Sequence, residues 1–168
     1  GDKKAVIHYC VCCWHRKLFD RASVIVTNKI LSHLVVDVQF FGQAVPTLIE
    51  ELGDYDLACQ YGGARTIPLG GGFFIMKCNE KTLNFLTQID NHFIEDSQYM
   101  INKFKDLCDY KMLSDKFFTI GQVLGRAWRG EMTFTIPNPI LMHHAAGTSG
   151  MKQKVKLLDL VKQRVSAR

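Results

Sequence analysis

The sequence predicts an α/β fold, a single domain over residues 1–168 with a mixed, mostly parallel central sheet flanked by helices. Short apolar, β-branched runs alternate with segments of helical periodicity, which is the pattern of helices laid on a sheet. The length of 168 residues suits one domain with a substantial core and leaves little room for a second. Hydrophobic residues at 47% and charged residues at 22% are in the range of folded globular chains and exclude disorder.

The elements follow in order. Ala5 to Cys12 and Ser23 to Thr27 are β-rich runs, and Val35 to Phe41 is an apolar strand holding one acid, Asp37. Pro46 to Leu52 reads as a short helix, with Pro in its first turn and Gly53 as its stop. Asp56 to Gln60 is the next strand. Tyr61 to Gly72 is a glycine-rich loop entering the apolar strand Phe73 to Met76. Asn79 caps a helix through about Asn91, with Leu83, Phe85, Leu86 and Ile89 on its apolar side, and a second helix runs from about Glu95 to Leu107. Tyr110 to Leu113 and Phe117-Phe118 are strand-like, Thr119 to Asn138 reads as irregular, and Pro139 to His144 is a final strand before a basic helix.

Charge and cysteine usage narrow the function classes. The net charge of +5 comes partly from the last helix, where Lys152, Lys154, Lys156, Lys162, Arg164 and Arg168 meet one acid, Asp159. Their interleaving with Val155, Leu157, Leu158, Leu160, Val161 and Val165 describes either a solvated amphipathic face or a face for a phosphate-bearing ligand. No nucleic-acid-binding motif is legible, so nucleic acid is not expected. No apolar run reaches the length of a membrane span, and the N-terminus lacks the apolar core of a signal peptide. The cysteines at positions 10, 12, 13, 59, 78 and 108 form no spaced CxxC pair and several lie in strand-like runs. Reduced, buried thiols follow, with a soluble chain in the cytoplasm or a similarly reducing compartment as the expectation.

The chemistry-bearing residues are few. An unpaired carboxylate inside an apolar strand costs several kcal/mol, so Asp37 is expected at a strand end, either capping a turn or facing a cation or substrate. His143 and His144 close another apolar strand, and the carboxyl ends of strands in α/β sheets are where ligands gather. Asp and His together suit Mn²⁺ or Mg²⁺ with substrate phosphates completing the shell, and two unrelated polar residues are the alternative. Cys10, Cys12, Cys13 and His15 are a rival zinc set, although strand alternation puts Cys13 on the opposite face from Cys10 and Cys12. No nucleophile elbow or phosphate loop is present.

Taken together, several stretches resemble the nucleotide-diphospho-sugar transferase family, glycosyltransferases of the A-type fold with a metal-binding DxD motif. Val35-Val36-Asp37-Val38-Gln39-Phe40-Phe41 is similar to its D-x-D-apolar-x-F-F strand, and Gly70-Gly71-Gly72-Phe73-Phe74 to its N-T-G-F-F turn. Ser97-Gln98 falls at its Asp-Gln pair, and His144 to Thr148 at its His-Ala-Asn-Trp-Thr stretch. The resemblance implies a nucleotide-sugar donor, an unidentified acceptor, and Mn²⁺ or Mg²⁺ held by Asp37 and His144, with Lys152 neutralising a phosphate. Asp37 and Gln98 would be catalytic, Gln98 and the loop of Gly70, Gly71 and Gly72 would face the sugar or acceptor, and Arg16 would reach the nucleotide.

The departures fall on polar positions: Val35 for the first acid, Gly70 for asparagine, Ser97 for aspartate and Ala146 for asparagine. Losing a metal-facing carboxylate lowers affinity for a hard cation, so activity is expected to be reduced or lost. The chain is also short at the N-terminus for an A-type fold, with about 25 residues between Cys12 and Asp37 for crossover connections. A non-catalytic binding or interaction module on the same scaffold is the alternative.

Overall fold

The computed structural model describes residues 23–27, 30–34, 37–62, 67–92 and 97–168. The run Ala5 to Cys12, the Cys10/Cys12/Cys13/His15 set, Arg16, Val35 and the start of the helix read from Glu95 lie outside the described residues.

Among the described residues, eight strands and five helices follow in the order β1 (Ser23–Thr27), β2 (Ile30–Leu34), β3 (Val38–Phe40), α1 (Ala44–Leu52), β4 (Leu57–Tyr61), β5 (Leu69–Lys77), α2 (Glu80–Asn91), α3 (Ser97–Phe104), a 3-10 turn (Lys105–Leu107), β6 (Tyr110–Met112), β7 (Phe117–Thr119), α4 (Ile120–Leu124), β8 (Met142–His144) and α5 (Met151–Ser166). They build an α/β fold with two sheets, ordered β1-β2-β5-β4-β6 and β3-β8-β7. Among the described residues no helix is long and apolar enough to cross a membrane.

The expected mostly parallel sheet is not what forms. Among the described residues the pairs β1–β2, β2–β5, β4–β5 and β3–β8 are antiparallel, and β4–β6 and β7–β8 are parallel. The strand-helix-strand order at β3-α1-β4 was legible, but its two strands enter different sheets, so α1 does not link neighbouring parallel strands.

Three further boundaries differ from the sequence reading. In the described part of the run Val35 to Phe41, Asp37 occupies a turn and Val38–Phe40 pairs, while Ile30–Leu34, unread from sequence, forms β2. Gly70, Gly71 and Gly72 belong to β5 and not to a loop. Between the register pairs Cys59↔Phe74 and Tyr61↔Leu69, β4 advances two residues (61 − 59) and β5 five (74 − 69), so the glycines fill a bulge. The stretch from Thr119 contains helix α4, capped by the Thr119 hydroxyl, which accepts from Gln122 N at 3.2 Å, and ended by Gly125 at φ 66.

The core lies in three layers. Leu57, Cys59, Phe74 and Met76 pack one face of the larger sheet under α2 and α3, through Phe85, Ile89 and Met100. Ala58, Phe73 and Ile75 pack the opposite face against α1 and the smaller sheet, with Phe73 stacked on Phe117 at 6.0 Å between centroids. Both faces being covered explains the unbroken run Phe73 to Met76. The third cluster, Phe118, Ile120, Trp128, Leu157 and Val161, seats α5 on the outer face of the smaller sheet. Cys59 and Cys108 are buried free thiols, and burial pushes the Cys108 thiol up to about 12.

Candidate functional site

The short β3–β8 ladder assembles the site. Val38 lies opposite His144, and Ala145 N donates to Asp37 O at 3.0 Å, so one further step of the ladder brings Asp37 beside His144. The two side chains meet across the ladder end, His144 Nε2 to Asp37 Oδ1 at 3.5 Å, each only 8% exposed. Helix α5 supplies the third member: Lys154 Nζ donates to Asp37 Oδ2 at 2.7 Å. Lys154 stands three and seven residues before Leu157 and Val161, both fully buried, so it lies on the stripe that faces the sheet.

His144 is oriented from behind by β4. Gln60 Nε2 donates to Phe117 O at 2.9 Å, which fixes its amide, and Gln60 Oε1 accepts from His144 Nδ1 at 2.8 Å. Nδ1 therefore carries a proton, and Nε2 is the nitrogen presented to Asp37, to which it donates when it too is protonated. Gly72 completes the pocket, because a Cβ there would come within 2.3 Å of His144 Cε1. Burial by itself pushes the Asp37 carboxyl up. His144, by hydrogen bond and charge, and then Lys154 outweigh it and hold the group well below the usual carboxylate range. Asp37 thus stays ionised near neutral pH and is a poor proton acceptor.

The other candidate residues fall elsewhere. Gln98, on α3, donates through Nε2 to Gly62 O at 3.2 Å and Ile67 O at 3.1 Å. Four residues on, Asn102 clamps Leu69 through both amide and carbonyl. Their amides brace the two ends of the β4–β5 connection. Lys152 is exposed on α5, beside Gln153 and Lys156 in a surface groove with Met132, and makes no contact with Asp37. The lysine at Asp37 is Lys154. His143 points to the opposite face from His144, fully buried and tilted over Phe118 at 4.7 Å, and neither ring nitrogen has a hydrogen-bond partner among the described residues. Burial, then the neighbouring His144, lowers its pKa to about 3, against the pull of Asp37.

Gln60 and Lys154 were missed from sequence. Lys154 had a signal, its i+3 and i+7 spacing to buried apolar residues; Gln60 had none beyond being the polar end of an apolar strand.

The donor set does not fit a divalent cation. Mn²⁺ or Mg²⁺ prefers several oxygens and little competing positive charge. Here one carboxylate and one imidazole converge, the carboxylate already carries an ammonium, and among the described residues no group of three His, Cys, Asp or Glu side chains is placed to hold a metal. The chain matches no family model, no curated protein and no solved structure.

Proposed function

We propose that the chain is a glycosyltransferase-like domain that takes a nucleotide-diphosphate sugar at the Asp37, His144 and Lys154 cluster, with transfer to its acceptor reduced or lost. The supporting observation is convergence: Asp37 and Lys154, 117 residues apart, meet at one carboxylate together with His144, with Asp37 and His144 on two of the segments the family resemblance singles out and Lys154 two residues from Lys152. In this reading Lys154, whose side chain is 31% exposed, turns its remaining N–H donors toward the diphosphate. Asp37 holds that ammonium in place, and Gln60 holds His144 beside it. Positive charge positioned at a departing diphosphate is the main demand of glycosyl transfer from such donors.

The test is thermal stability with UDP or GDP, in chelator and in Mn²⁺. A nucleotide at about 100 times its dissociation constant should stabilise by roughly 2.7 kcal/mol. The shift should shrink in Lys154→Gln and His144→Ala, and its absence with both nucleotides under both conditions overturns the proposal. A second reading, a non-catalytic binding module, is favoured by Val35 and by the fully paired Asp37 carboxylate. It expects the same nucleotide shift with no sugar released from labelled UDP- or GDP-sugars, whereas the transferase reading expects slow release.

A further inference from the structure

The pairing of Asp37 settles how positive charge enters this pocket. Each carboxylate oxygen has its own partner, Oδ1 with His144 Nε2 and Oδ2 with Lys154 Nζ. Asp37 and Lys154 together sum to zero charge before any ligand arrives. A pocket of two carboxylates presents −2 and matches a dication, whereas a dication added here would leave +2 on side chains that are mostly buried. The ammonium also has the advantage of tethering, because buried Leu157, Leu160 and Val161 hold its helix against the sheet while a free ion must be recruited and dehydrated.

We infer that Lys154 takes the place of a divalent cation at Asp37, so that the wild-type domain excludes Mn²⁺ and Mg²⁺ from this pocket and admits them only when that lysine is replaced. The inference rests on the proposed donor site only for the identity of the anion the ammonium serves. Its charge argument concerns the protein alone.

The experiment titrates Mn²⁺ into the intact chain without nucleotide, reading free Mn²⁺ by electron paramagnetic resonance. Wild type and Lys154→Arg are expected to take up none at this site. Lys154→Gln, which removes the charge, is expected to take up one ion, and Lys154→Glu, which adds a second carboxylate, to bind it at least about tenfold more tightly. Uptake by Lys154→Glu should disappear when His144→Ala is added. Mn²⁺ uptake by wild type that is abolished by Asp37→Ala overturns the inference, and so does a lack of uptake by Lys154→Gln and Lys154→Glu when circular dichroism shows them folded. If one of these two variants does not fold, the other, with wild type, decides in the same way; if neither folds, uptake or exclusion by wild type and Lys154→Arg decides. Failure of UDP and GDP to bind overturns the proposed function and leaves the Mn²⁺ result standing, so the two can fail separately.

Discussion

Asp37 and Asp56 are buried to the same degree, 6% and 7% exposed, yet they are held in different ways. Asp56, just ahead of β4, accepts from the backbone N–H of Asp109 at 3.0 Å and from the Asn79 amide at 2.7 Å, with Lys81 at 3.2 Å. Asn79 is itself the N-cap of α2, exchanging bonds with Thr82 in a capping box. Asp56 therefore joins β4, β6 and α2 through a backbone N–H and a capping amide that the fold fixes, with the exposed Lys81 as an outer partner. Asp37 meets two side chains, His144 and Lys154, one of them partly exposed. The backbone N–H and capping amide at Asp56 cannot turn to a ligand, whereas at Asp37 neither oxygen has a backbone donor and Lys154 can turn. The two carboxylates separate a structural polar anchor from a candidate site.

Acid should break the comparison most strongly. His143 lies beneath the Asp37 end with its pKa lowered to about 3, below the ordinary value of 6.5, so the unfolded chain binds the extra proton first. Stability is therefore lost as pH falls from 6.5 toward 3, at up to about 1.4 kcal/mol per pH unit. Asp37 and Asp56, both lowered, add their losses only as pH falls below 3.8. Hydrogen exchange between pH 6.5 and 4 is expected to expose the β3–β8 ladder before the β4–β6 pair, and His143→Phe should flatten that slope. Equal loss of protection at both ends would erase the distinction.

Asp56→Ala comes next, at about 2–3 kcal/mol by chemical denaturation, because it strands the Asp109 N–H and loosens the α2 cap. It should leave any UDP or GDP shift intact. Gly72→Ala is expected to cost about 2 kcal/mol, since its Cβ meets the His144 ring, and to weaken the nucleotide shift as well. Asp37→Asn should be the mildest in stability, about 1 kcal/mol or less given the exposure of Lys154, while removing most of the nucleotide shift. A reversal of rank between Asp56→Ala and Asp37→Asn would show that Asp37 is the structural member of the pair.

Local signals carried much of this architecture. The Asn79 cap, the apolar side of α2, the Gly53 stop of α1 and the buried runs of β4 and β5 depend on neighbours in sequence and could be read there. The strand directions could not, because they rest on pairings between segments distant in sequence, and the glycine bulge of β5 packs against Gln60 and a histidine from another sheet. Asp37 and His143-His144 stand together in the sequence as polar strand ends, the resemblance selects His144 of the two, and the ladder brings Asp37 and His144 together. Lys152 and Lys154 differ only in which side of α5 they occupy, which helical phase decides.

The missing methyl at Gly72 has one more consequence. β5 and β8 belong to different sheets, and the imidazole of His144 occupies the volume that any side chain at position 72 would claim. Positions 72 and 144 therefore work as tooth and notch. Position 72 cannot gain a side chain while the imidazole is there, and among descendants of this chain the loss of the imidazole is what would release position 72 to drift, so a residue other than glycine there would mark a lineage in which the pocket has already been abandoned.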